Sequence, residues 1–321
     1  MFKYHQINLL GNSKMKKIIN TRICLSLLAL TIFLPLQALA SNGEFYGKIN
    51  VSLMETEINS EKNTDTRNNA SRIGYKSKYA LSDDLNLIIQ IENEFDAADG
   101  RADGDKVFKQ RNTFIGISGS FGKLFVGTHD TAFKKAQLKV DLFNDTGADI
   151  KNILVGENRM QDMVGYESPE IYKGLKFTLN NVKTSSESYQ SYSINYKRGD
   201  VSSSFAVDNG LKGFESRRFA LVYPHNKSTF GILVQDSENT NTLNSENGYV
   251  YSFKHKLTSK GTLMVQSAKS DMKVIKGEQN TIGYGIKTGK NSKVFAACSK
   301  LKKDQKSKNK TMLSVGFEIK F

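Results

Sequence analysis

The chain of 321 residues has no tryptophan, three prolines, two cysteines and four histidines. Each scarcity excludes something. Cys24 lies in an early apolar run, so only Cys298 remains beyond residue 40 and no intrachain disulfide can staple the fold. Cys24 also lacks the following small residue of a lipobox, which argues against lipoprotein processing. Cys298 reads as a small packed side chain rather than a reactive thiol. Prolines this rare leave long backbone ladders undisturbed, and Pro169 and Pro224 are expected in turns. Beyond residue 40 the histidines are His129, His225 and His255, and no nucleophile-elbow motif accompanies them. The chain therefore reads as non-enzymatic, with nothing that points to a cofactor or a metal centre.

The first forty residues stand apart. Lys14, Lys16, Lys17 and Arg22 precede the apolar run from Ile23 to Leu36, and Ala38, Leu39 and Ala40 supply an A-x-A cleavage site. That layout predicts a secretory signal peptide over residues 1–40 and a mature chain from Ser41, with Met15 as an alternative start. The mature part holds 41 Lys and Arg against 32 Asp and Glu, a net charge of +9. With no basic helix or RNA-binding signature, nucleic acid is the weakest of the partners such a balance allows.

Past Ala40 no apolar run reaches the roughly 20 residues of a membrane-spanning helix. Alternation with a period of two recurs instead. Phe45, Gly47, Ile49, Val51 and Leu53 share one face of a segment whose other face carries Tyr46, Lys48, Asn50 and Ser52. Leu85, Leu87, Ile89 and Ile91 likewise oppose Asn86, Ile88, Gln90 and Glu92. Sixteen such segments can be marked, ending with residues 311–321. Tight turns rich in Gly, Asp and Asn alternate with longer polar connections such as 55–71, 96–110 and 301–310. This predicts an all-β fold, a 16-stranded antiparallel transmembrane β-barrel over residues 41–321 with short turns on one rim and long loops on the other. A sheet embedded in lipid must close to satisfy its backbone. Phe45, Phe95, Tyr166, Tyr223, Tyr249 and Phe321 fall at strand ends, where an interfacial aromatic belt would lie. A soluble β-sandwich shares the alternation, but it accounts poorly for so many strands, for the alternating connection lengths and for the charged polar faces.

The segments FYGKINVSL, SRIGYKSK, RNTFIGISGSFGKLFVG, ENRMQDMVGYESPE and TMLSVGFEIKF resemble the general diffusion porins of Gram-negative outer membranes, across nearly the whole mature chain. The resemblance implies a homotrimer of sixteen-stranded barrels in which the third outer loop folds inward and narrows a water-filled path for small hydrophilic solutes. It also implies outer-membrane lipid, including lipopolysaccharide, and the outer-membrane insertion machinery as partners. Phe321, Ile319 and Phe317 match the terminal assembly signal that machinery reads. Two departures stand out. Thr128 and His129 follow Gly127 where family members often carry an arginine, and the family's SPEF-x-G turn reads SPEIYKG, one residue longer.

The inward loop expected over residues 129–158 carries Asp130, Asp141, Asp145, Asp149 and Glu157 with four lysines, a net charge of −1. Alternation places Lys48, Arg72, Lys76, Lys78, Arg111 and Arg159 on the lumen face, Arg111 by opposite parity to Phe114 and Arg159 by opposite parity to Val164 and Tyr166. Acids on the loop and bases on the wall would make a transverse field across the narrowest point. Asp162 falls on the nominal lipid face, where a charge is costly away from the rim. The overall excess of lysine leans toward weak anion preference. An adhesive or structural barrel without channel activity would use the same strands.

Overall fold

The computed structural model describes residues 43–100, 106–184, 187–273, 276–305 and 309–321. The expected signal peptide lies outside the described residues.

The alternating segments form one antiparallel sheet that closes on itself. In chain order its strands are β1 (Gly43–Ile58), β2 in two pieces (Glu61–Asn68 and Arg72–Ala80), β3 (Asn86–Phe95), β4 in two pieces (Phe108–Gln110 and Thr113–Gly119) and β5 (Gly122–Asp130). There follow β6 (Arg159–Glu167), β7 (Leu175–Lys183), β8 (Ser188–Arg198), β9 (Val201–Asn209), β10 (Phe214–His225) and β11 (Ser228–Asn239). The last are β12 (Ser245–Lys256), β13 (Gly261–Ser270), β14 (Gly277–Lys287), β15 (Ser292–Lys303) and β16 (Lys310–Lys320). Each strand pairs with its sequence neighbour, and β1 pairs with β16 from Lys48↔Lys320 to Glu57↔Thr311, which makes a closed barrel of sixteen strands. No helix among the described residues is long and apolar enough to cross a membrane.

The closing seam explains the end of the sequence. Gly47 and Phe321 exchange backbone hydrogen bonds of 2.8 and 3.1 Å. A Cβ on Gly47 would lie 2.3 Å from the Phe321 ring, so only glycine leaves room for that ring against β1. Val315, Phe317 and Leu313 stay exposed on the outward face, as do Leu53, Ile73, Ile115, Val126 and Ile282 on other strands. Large apolar side chains that face outward on a closed barrel form a lipid-facing band.

Several local expectations are corrected. Residues 55–71 are not a loop: β1 and β2 continue as a hairpin with register Val51↔Asn68 to Ile58↔Glu61, because a ladder above the apolar band needs no apolar face. The break in β2 falls instead at residues 69–71, with Ala70 at φ 54°. Other outer strands also run further than the apolar pattern, which shortens the outer loops. Pro224 lies within β10, opposite Thr229 near the strand's end, where a missing donor matters little. Cys298 is exposed on the outward face rather than packed.

Phe114 faces inward, not outward: it is buried against Phe125, with ring centroids 5.1 Å apart. Arg111 is nonetheless inside. Asn93 pairs with Gln110 and Gln90 with Phe114, so four steps on β4 match three on β3. The extra residue is a β-bulge that resets the alternation between Arg111 and Phe114. A second bulge resolves Asp162. Gly127 pairs with Met163 and His129 with Met160, again one residue in excess, and Asp162 is the residue with φ 52°, exposed and outside the pairing.

Candidate functional site

The connection between β5 and β6, residues 131–158, lies inside the barrel. It begins with a single helical turn, α1 (Ala132–Lys135), capped by the Thr131 side chain accepting from the Lys134 amide. A short 3₁₀ turn follows at Ile150–Asn152, capped in the same way by Asp149. Phe133, Ala136, Val140, Phe143, Ile150, Ile153, Leu154 and Val155 are all buried.

These apolar residues pack onto an inner wall made of small or aliphatic side chains, among them Ala220, Val222, Leu233, Val250, Ala268, Leu301 and Met312. Glycine makes seats where the loop comes closest. A Cβ on Gly248 would meet Leu154 at 2.4 Å, and one on Gly283 would meet Phe143 at 2.7 Å. Polar wall residues take up the loop's backbone groups. The amides of Ala132, Phe133 and Leu142 donate to Asn180, Ser191 and Gln266 at 2.6, 3.0 and 2.8 Å. Burying this segment in a lumen therefore leaves few of its backbone groups unpaired.

Arg218 of β10 is fully buried under the loop. Its guanidinium donates to Glu157 at 2.8 Å, to the carbonyls of Phe133 and Val155 at 3.3 and 3.2 Å, and to Gln235 at 2.7 and 2.9 Å. It also lies 4.3 Å from the centroid of the Phe133 ring. One side chain thus ties the loop's first turn to its last residues. Sequence reasoning missed it, although Ser216, Arg218, Ala220 and Val222 alternate with outward Phe219, Leu221 and Tyr223.

The expected acids divide by their partners. Asp145 alone crosses to the opposite wall, reaching Lys48 at 3.0 Å and Arg72 at 3.3 Å. Burial works against its ionisation, but Lys48, Arg111 and Arg72 outweigh it and hold the carboxyl below the ordinary range. Asp130, the last residue of β5, pairs with Lys134 at 3.1 Å and with Arg159 at 3.0 Å. Asp141, Asp149 and Glu157 brace the loop. Asp141 accepts from the amides of Phe143 and Ile150, and burial, with Asp149 nearby, pushes it up to about 8. Burial also raises Glu157, even with Arg218 beside it.

The bases divide as well. Lys48, Arg72, Arg111 and Arg159 face the loop or its root. Lys76 lies apart from it, 3.1 Å from Glu44 and over the Tyr46 ring, toward the end of the barrel with short turns. Arg111 is held by acids of its own wall, Glu92 at 2.8 Å and Glu94 at 2.7 Å, and Arg72 also approaches Glu92 at 3.8 Å. Glu92 was legible from the alternation that set it opposite Leu85, Leu87, Ile89 and Ile91. With Glu94, it is an acid that the picture of a purely basic wall leaves out. Thr128 and His129, which follow Gly127, are buried, and the His129 ring packs 4.7 Å from Phe125 and 5.2 Å from Phe114.

Between the loop and the charged wall an open cavity of about 500 Å³ remains. Its lining carries five basic residues, Arg72, Arg111, Lys134, Lys135 and Lys139, and three acids, Glu92, Asp130 and Asp145. The arrangement is a lipid-facing barrel with a polar, charged interior narrowed by an internal loop, which is the architecture of a pore-forming outer-membrane barrel. A family model described as Gram-negative porin matches residues 26–317, and the chain belongs to that family. Membership places the barrel in the outer membrane of a Gram-negative cell.

Relatives include major outer membrane protein P.IB of Neisseria sicca, 34% identical over 45% of this chain and 43% of that protein. Major outer membrane protein P.IA of Neisseria meningitidis is 32% identical over 42% of this chain and 34% of that protein. The chain spans less than half the length of either relative. Among solved structures, an anion-selective porin from Comamonas acidovorans has a TM-score of 0.76 at 16% identity, over 87% of this chain and 99% of that one. OmpF of Salmonella typhi, solved with daunomycin, has a TM-score of 0.71 at 16% identity, over 87% and 98% of the two chains. At that identity the likeness is one of fold.

Proposed function

We propose that this barrel is a water-filled channel for passive diffusion of small hydrophilic solutes and ions, narrowed by residues 131–158, with a weak preference for anions. The observation that carries the reading is the loop seated inside the lumen with an open, charged passage of about 500 Å³ beside it. A narrow aqueous path selects by width and by the charges on its walls. Asp145 with Lys48 and Arg72 forms the narrowest bridge, while Arg111, Arg159 and Asp130 line the approach. The excess of basic over acidic lining supports the anion preference, and one structural neighbour is itself described as anion-selective.

The barrel works as a homotrimer embedded in outer-membrane lipid, including lipopolysaccharide. Phe321, Ile319 and Phe317 form the signal for the insertion machinery, a role supported by the Phe321 seam with Gly47. Deleting Phe321 should leave the chain unassembled; normal insertion of that variant would overturn the assignment. Purified protein added to a planar bilayer should give stepwise conductance increases. Their absence from correctly folded trimers would favour a structural or adhesive barrel instead.

A further inference from the structure

The end of the barrel with short turns carries many lysines on its inner wall, and several of them share an acid. Lys76 pairs with Glu44 at 3.1 Å, and Lys123 and Lys135 share Glu167. Lys293 and Lys320 share Glu318, at 3.5 and 3.6 Å. The sector of β12 departs from that arrangement. Gly248, Val250 and Ser252 face the internal loop, so by the same alternation Lys254 and Lys256 face the lumen, nearer the short turns. Lys254 stands between Thr229 and Met264, and Lys256 stands opposite Thr262, with its amide donating to the Lys227 carbonyl at 2.9 Å.

The loop adds a third cation. Its Val140 is seated over β11 and β12, where a Cβ on Gly231 would lie 2.3 Å from the Ser252 hydroxyl and 3.3 Å from the Val140 Cα. That seat delivers the next residue, Lys139, to the lower part of β12, and both Lys139 and Lys256 come close enough to Lys254 to repel it. Lys139 and Lys256 are exposed and Lys254 is half-buried. Among the described residues none of the three has a carboxylate within salt-bridge distance. Val222, Pro224, Thr229 and Gly231 beside them on β10 and β11, and Thr262 and Met264 on β13, are uncharged. Lys139 also lines the open passage of about 500 Å³.

We propose that Lys139, Lys254 and Lys256 form a binding site for small polyvalent oxyanions, a polyphosphate or a di- or tricarboxylate, on the short-turn side of the constriction. Three arguments select that class. The three ammonium groups repel one another with no acid between them, and a monovalent ion offsets only one of their charges. Residues two apart on a strand lie about 7 Å apart, so Lys254 and Lys256 suit an anion that carries charged groups at two ends. Lysine is a point charge with three rotatable donors, which accepts phosphate and carboxylate oxygens alike without the planar match that arginine demands. The site stands opposite the bridge of Asp145 with Lys48 and Arg72, on the wall that otherwise only holds the loop. It deepens the channel reading by naming a solute class that the passage retains rather than merely passes. It rests on an open lumen, and binding in detergent is read without conductance, so the two can fail separately.

The test titrates the full barrel, folded in detergent, with pyrophosphate and, separately, with citrate, and reads binding by calorimetry. Replacing Lys139, Lys254 and Lys256 with Gln should weaken binding by about fivefold per lysine, or about a hundredfold together. Lys139→Gln alone serves if the triple variant does not fold, and Lys176→Gln, at the same end of the barrel on β7, should bind as wild type does. Acetate at equal concentration should not displace either ligand. In planar bilayers pyrophosphate should reduce the KCl current of the wild type, and the triple variant should need about a hundredfold more for the same reduction. Binding of either ligand with that lysine dependence supports the site. Binding by neither, equal affinity in wild type and the lysine variants, or full displacement by acetate would overturn it. Lysine-dependent binding by a barrel that gives no current would keep the site and overturn the channel reading instead.

Discussion

The two walls that face the internal loop solve opposite problems. The wall of β10 to β16 offers small side chains, glycine seats and neutral hydrogen-bonding groups, and the loop's apolar residues sink into it. The wall of β1 to β5 offers Lys48, Arg72, Glu92, Glu94 and Arg111, and the one loop carboxylate that reaches its bases is Asp145. The first contact is broad, dry and short-range, so it fixes position. The second is narrow and electrostatic, so it sets the field in the passage, and Asp145 supplies the counter-charge of the buried Lys48. A single loop can thus be held firmly and still present charge to a solute.

The comparison can be broken first at its firm side. Arg218→Met leaves Glu157 buried without its partner, and losing one member of such a pair costs about 3–5 kcal/mol. The loop should then loosen while the barrel stays closed, giving larger or flickering unitary currents and protease cleavage within 131–158, with unchanged heat-modifiable gel mobility. Ile150→Ala should act in the same direction, by about 2–5 kcal/mol of docking free energy through the cavity it leaves. Gly248→Val fills the seat of Leu154 and should cost about 1–3 kcal/mol, read from the same currents.

At the charged side the effects should be visible in selectivity as well as in stability. Asp145→Asn leaves the buried Lys48 without its counter-charge and should cost about 1–3 kcal/mol. It should still raise anion preference, because Lys48 and Arg72 lose their shared counter-charge. The pH dependence follows from the lowered Asp145 carboxyl. A carboxyl held below the ordinary range keeps its charge at neutral and mildly acidic pH, so its contact with the wall persists there and is lost only as pH falls through the lowered value. The contribution of Asp145 to selectivity should therefore stay constant from neutral to mildly acidic pH and fade only in strong acid.

The barrel itself was legible in the sequence because one physical constraint, alternate residues in lipid and alternate residues in water, writes a period of two along every strand. The constraint ends where the lipid ends, and so did the legibility. The hairpin over residues 55–71 has polar residues on both faces and read as a loop. A bulge adds one residue without marking it in the composition, so the parity from Phe114 to Arg111 and the placement of Asp162 could not be carried across. The loop was read through its charges, yet Val140, Ile150, Ile153 and Leu154 hold it. Their pattern matches no period, because they fit the shape of a wall built from distant strands. Lys48, Arg72, Arg111 and Arg159 were found on the inner face, whereas Arg218 and Glu92, on the same alternation, were passed over because nothing local set them apart from solvated wall.

The most direct test is the reversal potential across a KCl gradient, measured for the wild type and for Asp145→Asn in planar bilayers. A weak anion preference in the wild type that becomes stronger in the variant, at similar unitary conductance, is the predicted result. Identical reversal potentials, or a strong cation preference in the wild type, would contradict the assignment of Asp145, Lys48 and Arg72 as the contact that sets the field.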